Sequence, residues 1–324
     1  MPLAQTTTPL EPPRHTKYER LIAESRALPP LSVAVAHPCD DASLGAALDA
    51  HGLGLITPIL VGPAAKIAAA AATLGADLSG FRVVDAAHSD DAAAKAVALV
   101  RAGEAEALMK GSLHTDELMA AVVARETGLR TKRRISHCFL MDVPSHPEPL
   151  IITDAAVNIA PDLAQKRDII QNAIDLANAL KFQEVRVAIL SAMETVNPEV
   201  PSTIEAAALC KMADRGQITG GIVDGPLALD NAVDLGSAEI KHIRSPVAGR
   251  ANVLVVPDLE SGNMLAKSLT FLAAADAAGI VLGARVPIIL TSRADSRTTR
   301  LASCAVASLL AQAQRVAALN VVKV

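Results

Sequence analysis

The chain has no tryptophan, a single tyrosine and four phenylalanines among 324 residues. With 51% hydrophobic residues but only 2% aromatic, its core has to be built from Ala, Val, Ile and Leu. That composition suits helices packed on sheets of β-branched strands. Four cysteines, Cys39, Cys138, Cys210 and Cys304, lie far apart and form no CxxC pair. A disulfide framework and the common zinc spacings are therefore missing. His37-Pro38-Cys39 and His137-Cys138 would make a metal site only if these two distant segments converged; reduced, mostly buried thiols are the expectation. No apolar run approaches the length that crosses a bilayer. A formal charge of -4 and a pI of 6.1 give no basic footprint for nucleic acid, although Arg130, Lys132, Arg133 and Arg134 cluster locally. GxxxxGK[ST], HExxH and GxSxG do not occur, which opposes a P-loop NTPase, a zincin and an α/β-hydrolase. Gly52-Leu53-Gly54 lacks the third glycine of a dinucleotide fingerprint and precedes a strand instead of following one. The expectation is a cytoplasmic protein without membrane or nucleic-acid partners.

What is present is alternation. Apolar, β-branched segments at 31–36, 56–61, 81–84 and 105–109 read as strands, and the stretches between them read as helices. Such β-α-β-α order predicts a mostly parallel sheet with helices on both faces. Near Ile135 the pattern changes to two strands, 135–143 and 150–153, joined through Pro144, Pro147 and Pro149. Alternation resumes with helices expected over 162–180, 202–214 and 264–277, and strands over 185–190, 221–223, 252–256 and 286–290. The length favours two domains. We expect a flexible tail over 1–17, a first domain of 18–143 with 286–324, and a second of 144–285. The last strand and helix should pack back onto the first domain.

Ligands of parallel sheets bind beyond the carboxyl ends of strands. Polar residues recur there: Lys110-Gly111-Ser112 with His114, Thr153-Asp154 with Asn158, Ser191 with Glu194 and Asn197, Asp224, and Gly262-Asn263. Taken singly, each is an ordinary cap or turn residue. Thr291-Ser292-Arg293-Ala294-Asp295-Ser296 adds a hydroxyl, a guanidinium and a carboxylate between the final strand and the final helix, whose first amides attract anions. Ser and Asp there are equally ordinary helix caps. Lys110 beside a glycine, Arg293, hydroxyls and helix N-termini suit a phosphate-bearing ligand.

Several ordered stretches resemble the phosphate acetyl/butyryl transferase family: Met109-Lys110-Gly111, LIITDAAVNIAPDLAQK from Leu150, Ile169 to Ala173, ETVNP from Glu194 and KMADRG from Lys211. VDGPLALDNAV from Val223, PVAG from Pro246, VPDLESGNMLAK from Val256, and Pro287 to Ser296 complete the series. The resemblance spans most of residues 105–310. It implies acyl-CoA plus phosphate in equilibrium with acyl phosphate plus CoA. It also implies two three-layer αβα domains of isocitrate/isopropylmalate dehydrogenase-like topology, a cleft between them, and a homodimer. Coenzyme A and phosphate are then substrates, and neither cofactor nor metal is expected. Carried over by position, the catalytic pair falls on Ser292 and Arg293. Lys110, Gly111, Ser112, Thr153, Asp154, Asn158, Glu194, Asn197, Asp224, Gly225, Gly262, Asn263 and Lys267 are expected to bind substrate. The acetyl branch has an Asp seven residues after its Ser, as base for the CoA thiol; here Thr299 stands there, and Asp295 is the nearest carboxylate. Two arginines of that branch fall near Phe271 and Ala121. TSRADS and ETVNP look more like the butyryl branch. The alternatives are a non-catalytic acyl-CoA-binding subunit and an NAD-dependent dehydrogenase of similar topology.

Overall fold

Short apolar runs separated by capped amphipathic stretches fold as alternating strands and helices in a computed structural model, which describes residues 16–291 and 295–322. The first half of the chain runs α1 (Thr16–Arg26), β1 (Leu31–Ala36), α2 (Asp41–Gly52), β2 (Ile56–Gly62), α3 (Ala64–Leu74), β3 (Arg82–Asp85), α4 (Ser89–Arg101), β4 (Ala107–Lys110) and α5 (Thr115–Val123). The middle runs β5 (Ser136–Asp142), β6 (Leu150–Thr153), α6 (Leu163–Ala179), β7 (Arg186–Leu190), α7 (Pro201–Asp214), β8 (Ile222–Leu227), α8 (Leu229–Val233) and α9 (Leu235–Ile240). It closes with β9 (Val253–Val255), α10 (Leu259–Leu272), β10 (Asp276–Leu282), β11 (Ile288–Ile289) and α11 (Arg297–Val322).

These strands form one sheet in the order β3-β2-β1-β4-β11-β10-β5-β6-β9-β7-β8. The expected α/β class with a mostly parallel sheet is what forms. Both faces are buried: Leu31, Val33 and Val35 of β1 join one core cluster, Ala34 and Ala36 another. β11 pairs parallel with β4, so the last strand and helix do return to the N-terminal elements. Three pairings are antiparallel: β11 with β10, β10 with β5, and β5 with β6. Three reversals are an odd number, so β6, β9, β7 and β8 run opposite to β1, β2, β4 and β11. The Pro-rich turn between β5 and β6 therefore joins sheet neighbours, with Met141 opposite Leu150.

Several boundaries differ from the sequence expectation: the strand expected over 221–223 runs from Ile222 to Leu227, so Asp224 and Gly225 lie inside it, and the one expected over 286–290 is confined to Ile288–Ile289. The helix expected over 264–277 starts earlier, because the Asp258 side chain caps it by accepting the Ser261 N–H at 2.8 Å. It also stops earlier, since Asp276 and Ala277 pair with Asp142 and Met141 as the start of β10. The short helices α8 and α9 share Asp234, which ends one and caps the next at the Ser237 N–H.

The single tyrosine fastens α1 to the sheet. Tyr18 is fully buried; its hydroxyl donates to the Leu140 carbonyl, lies 3.0 Å from the Asp276 carbonyl and accepts the Ala278 N–H at 2.7 Å. Leu140 and Ala278 face each other in the β5–β10 ladder, so this hydroxyl bridges the two strands. Beside it, buried Asp142 accepts from Lys17 Nζ at 2.8 Å. At the start of α11, Ser296 Oγ accepts the Thr299 N–H at 3.0 Å, the geometry of an N-cap. The Asp276 carboxylate accepts from Thr299 Oγ1 at 3.0 Å and lies 3.2 Å from Ser296 Oγ. Arg297 pairs with Asp49 of α2 at 2.6 and 2.9 Å.

Tyr18→Phe leaves the Ala278 N–H without its acceptor and should cost about 1–3 kcal/mol in urea unfolding. Burial raises the Tyr18 pKa well above its ordinary 10.0. Its contribution to stability is thus complete below pH 10 and is lost as pH rises from there toward the folded value. Absorbance titration of this lone phenol should show no ionisation before the fold is lost. Ser296→Ala removes the α11 cap and should lower stability by about 1 kcal/mol, read as a shift in the same unfolding midpoint.

Candidate active site

Strands β1, β4 and β11 are adjacent and parallel, and the register Val35–Met109–Ile289 fixes their relative height. Two residues beyond that row lie His37, Gly111 and Thr291. The close approach demands glycine at 111: a Cβ there would lie 2.4 Å from the Ala36 carbonyl oxygen and 2.5 Å from that of His37. Backbone bonds tie the two strand ends together, Gly111 N–H to the Ala36 carbonyl at 2.9 Å and Ser112 N–H to the His37 carbonyl at 2.8 Å. Lys110 is buried, and its Nζ lies 3.4 Å from the Gly111 carbonyl. The Ser112 hydroxyl donates to the His37 carbonyl at 2.8 Å, sits 2.8 Å from His37 Nδ1 and accepts the Cys39 N–H at 3.4 Å. Thr291 is buried at the end of β11, and Asp295 is half-buried just before the α11 cap. Ser292 and Arg293 lie outside the described residues. Lys110, Gly111 and Ser112 thus share an edge with Thr291, the last described residue before the expected catalytic pair. His114 sits at the start of α5, where its N–H donates to Glu117 at 2.6 Å.

Thr153, Asp154, Asn158, Glu194 and Asn197 lie at or beyond the ends of strands that run the other way, whereas Asp224 and Gly225 lie inside β8 and Gly262, Asn263 and Lys267 on α10. After β6, Thr153 Oγ1 donates to the His137 carbonyl at 2.8 Å, and Asp154 accepts the N–H groups of Ala156 and Val157 at 2.9 and 3.0 Å. Asn158 donates to the Ile135 carbonyl at 2.9 Å and accepts from Arg134 Nε at 2.6 Å. Gly262 is required where α10 passes this loop, since a Cβ would lie 2.8 Å from the Asp154 carbonyl; Asn263 donates to the Ala155 carbonyl at 3.3 Å. Glu194 accepts from Asn231 at 3.2 Å, and the Asn197 side chain accepts the Glu199 N–H at 3.0 Å. Asp224 accepts the Gly225 N–H at 2.9 Å, and a Cβ at Gly225 would lie 2.8 Å from the Ile189 Cβ. Lys267 is exposed on α10. The shared-edge argument therefore unites Lys110, Gly111 and Ser112 with Thr291, and the remaining residues lie apart from them.

The electrostatics narrow the chemistry of the first edge. Burial pushes the Cys39 thiol up to about 11, so it is held protonated at neutral pH and makes a poor nucleophile. Buried Cys138 and Cys304 and half-buried Cys210 are likewise pushed up to about 12. Burial, reinforced by the Lys66 ammonium, lowers the His37 pKa and keeps its imidazole neutral. His137 is separated from His37 by β4, β11 and β10, so the two His–Cys segments do not meet. Burial lowers His137 to about 4. Among the described residues no group of three or more His, Cys, Asp or Glu is placed to hold a metal ion.

His37 is the residue of this edge that the sequence ranks low, as half of a remote His–Cys pair. Its signal was positional: it directly follows a β-branched run, where the chain leaves a strand. Its backbone adds to this, with φ at +57°, a left-handed conformation uncommon outside glycine.

Comparison with known proteins agrees with this architecture. A sequence model of the family described as "Phosphate acetyl/butaryl transferase" matches residues 86–308. A phosphate acetyltransferase of Rhizobium meliloti is 66% identical over 94% of this chain and 97% of its own. A phosphate butyryltransferase of Clostridium acetobutylicum is 39% identical over 91% of this chain and 98% of its own. The crystal structure of a branched-chain phosphotransacylase from Enterococcus faecalis V583 superposes with a TM-score of 0.74 at 29% identity, covering 87% of this chain and 99% of that one. Identity of this extent with named acyltransferases, along nearly the whole chain and on a matching fold, makes this chain an acyltransferase belonging to the phosphate acetyl/butaryl transferase family.

Proposed function

We propose that this enzyme transfers an acyl group, acetyl by preference, directly between coenzyme A and inorganic phosphate at the edge where β1, β4 and β11 end. The observation that carries the reading is the meeting there of buried Lys110 and Gly111 and half-buried Ser112 with the strand leading into Thr291–Ser296, in a chain of this family. Acetyl is favoured because the 66% identical relative is a phosphate acetyltransferase, whereas the butyryltransferase shares 39%. The butyryl-like form of TSRADS and ETVNP is the local feature that departs from this.

In this reading Arg293 grips phosphate oxygens through its planar fork, and Ser292 hydrogen-bonds the carbonyl oxygen as charge builds on it. Lys110 adds positive charge beside a glycine that lets substrate approach the backbone. Asp295 completes the catalytic set as the nearest carboxylate in sequence. Thr153, Asp154, Asn158, Glu194, Asn197, Asp224, Gly225, Gly262, Asn263 and Lys267 belong to a second domain, 144–285, that faces the first across a cleft. Holding thioester and phosphate together supplies much of the rate by proximity, so direct transfer needs no cofactor. We further place the enzyme in the cytoplasm as a homodimer. Met264, Phe271 and Leu272, which share one stripe of α10 and are 61%, 78% and 85% exposed, supply an apolar face that supports such pairing.

Thiol release from acetyl-CoA should depend on phosphate concentration, and release that ignores phosphate would refute the reading. Ser292→Ala should lower kcat by roughly 100-fold, as loss of an oxyanion donor does. Arg293→Ala should lower kcat/KM mainly through a raised KM for phosphate. Asp295→Asn should slow CoA acylation from acetyl phosphate, and an unchanged rate would remove Asp295 from the catalytic set.

A further inference from the structure

We propose that Arg300, on the first turn of α11, holds the phosphate substrate, its guanidinium donating to oxygens of inorganic phosphate or, in the opposite direction, of acyl phosphate. The inference rests on the acyl-transfer reading above and names a substrate contact that the strand-end motifs did not reveal.

Arg300 carries donors that the fold leaves unused. Its Nε is buried, and among the described residues no group accepts from it. Two other arginines of α11 are fully engaged by contrast: both oxygens of Asp49 hold Arg297, and both oxygens of Glu106 hold Arg315. The carboxylates that the first turn touches are taken by other residues, Asp49 by Arg297 and Asp276 by the Thr299 hydroxyl. A guanidinium offers five donors and no acceptor, and buried donors in folded proteins are nearly always satisfied. A buried donor without an acceptor costs stability, and an anion arriving there would recover it. Arg300 as a whole is half-buried, so part of its side chain is open to solvent.

The contacts of its neighbours fix where this side chain projects. α11 packs against β10, β11 and α2. Successive residues of a helix are turned by about 100°, which puts Arg297 and Ser303 about 60° to either side of Arg300. Arg297 pairs with Asp49 of α2, whereas Ser303 Oγ accepts the Gly279 N–H of β10 at 3.2 Å. Arg300 therefore projects between α2 and β10, on the side where β11 and then β4 follow β10 in the sheet. Below it on the same stripe, Cys304 and Ala307 are fully buried and offer no acceptor of their own side chains. Helical side chains lean toward the N-terminus of their helix, and α11 starts on the edge where β11 ends. The guanidinium is thus directed to the edge that also carries buried Lys110 of β4. A phosphate suits this position, because the planar fork meets two of its oxygens at once and a small anion reaches a buried donor. The phosphates of coenzyme A stand on a nucleotide that needs an open groove. Arg300 makes and breaks no bond: it holds phosphate, so its loss acts on KM.

The test compares the wild type, Arg300→Met and Arg300→Lys in two ways. Initial rates of thiol release from acetyl-CoA are measured with phosphate and acetyl-CoA varied in turn. Thermal melts are run in sodium phosphate and, at equal ionic strength, in sodium chloride. We expect the KM for phosphate to rise about 10- to 100-fold in Arg300→Met, as loss of a charged hydrogen bond does, with the KM for acetyl-CoA unchanged. Arg300→Lys keeps the charge but not the fork and should fall between. Phosphate, and not chloride, should raise the wild-type melting midpoint, and that rise should shrink in Arg300→Met. Without phosphate, Arg300→Met should melt no lower than the wild type, because it removes an unpaired buried donor; a purely structural arginine would lower the midpoint. An unchanged KM for phosphate overturns the proposal. So does a rise confined to the KM for acetyl-CoA, which would give Arg300 to coenzyme A, and so does failure of both variants to fold, which would make it structural. A wild type with no phosphate-dependent release refutes the acyl-transfer reading instead, and the melts then decide whether Arg300 binds phosphate.

Discussion

Strand β10 sets the architecture. It is hydrogen-bonded antiparallel on both sides, to β11 and to β5, over seven registered pairs on the β5 side from Asp276–Asp142 to Leu282–Ser136. Those reversals divide one sheet into two sets of strands that end on opposite edges. The first residue of β10, Asp276, also holds the hydroxyls of Thr299 and Ser296 in the first turn of α11. The Tyr18 hydroxyl locks β10 to β5 from the α1 side, where burial excludes competing water. The strand that orders the sheet thus also fixes the helix that follows the Thr291–Ser296 segment, so the fold and the proposed reaction edge share one support.

Much of this was legible in the sequence because β-branched runs at regular separation leave few alternatives to a parallel sheet. The return of the last strand to the N-terminal elements followed from the need of a lone strand for partners. Other features depended on long-range pairing, which periodicity does not carry. Asp276 and Ala277 have no strand signal of their own, and become strand because Asp142 and Met141 lie opposite. The start of α10 was set by Asp258, one cap residue among many. The direction of β6, β9, β7 and β8 relative to β4 depends on counting three antiparallel pairings, and no local motif encodes that count.

The candidate site was legible to a similar depth. The Lys110-Gly111-Ser112 turn announces itself by residue type, and the structure explains the glycine by a contact that a side chain would fill. The cap reading of the segment before α11 is right for Ser296, whose oxygen takes the Thr299 amide. The contact of His37 with Ser112 was hidden because the two are 75 residues apart in the chain. Only the register of β1 against β4 brings them together. The residues around the ends of β6, β7 and β8 are held by local hydrogen bonds of their own, such as those of Asp154 to the N–H groups of Ala156 and Val157.

The central claim is that chemistry occurs where β1, β4 and β11 end. Amide hydrogen exchange, with and without coenzyme A and phosphate, measures it most directly. The account predicts slowed exchange over residues 36–40, 110–115 and 290–299. Protection confined to residues 153–159, 191–197 and 224–226, around the ends of β6 and β7 and within β8, would contradict it.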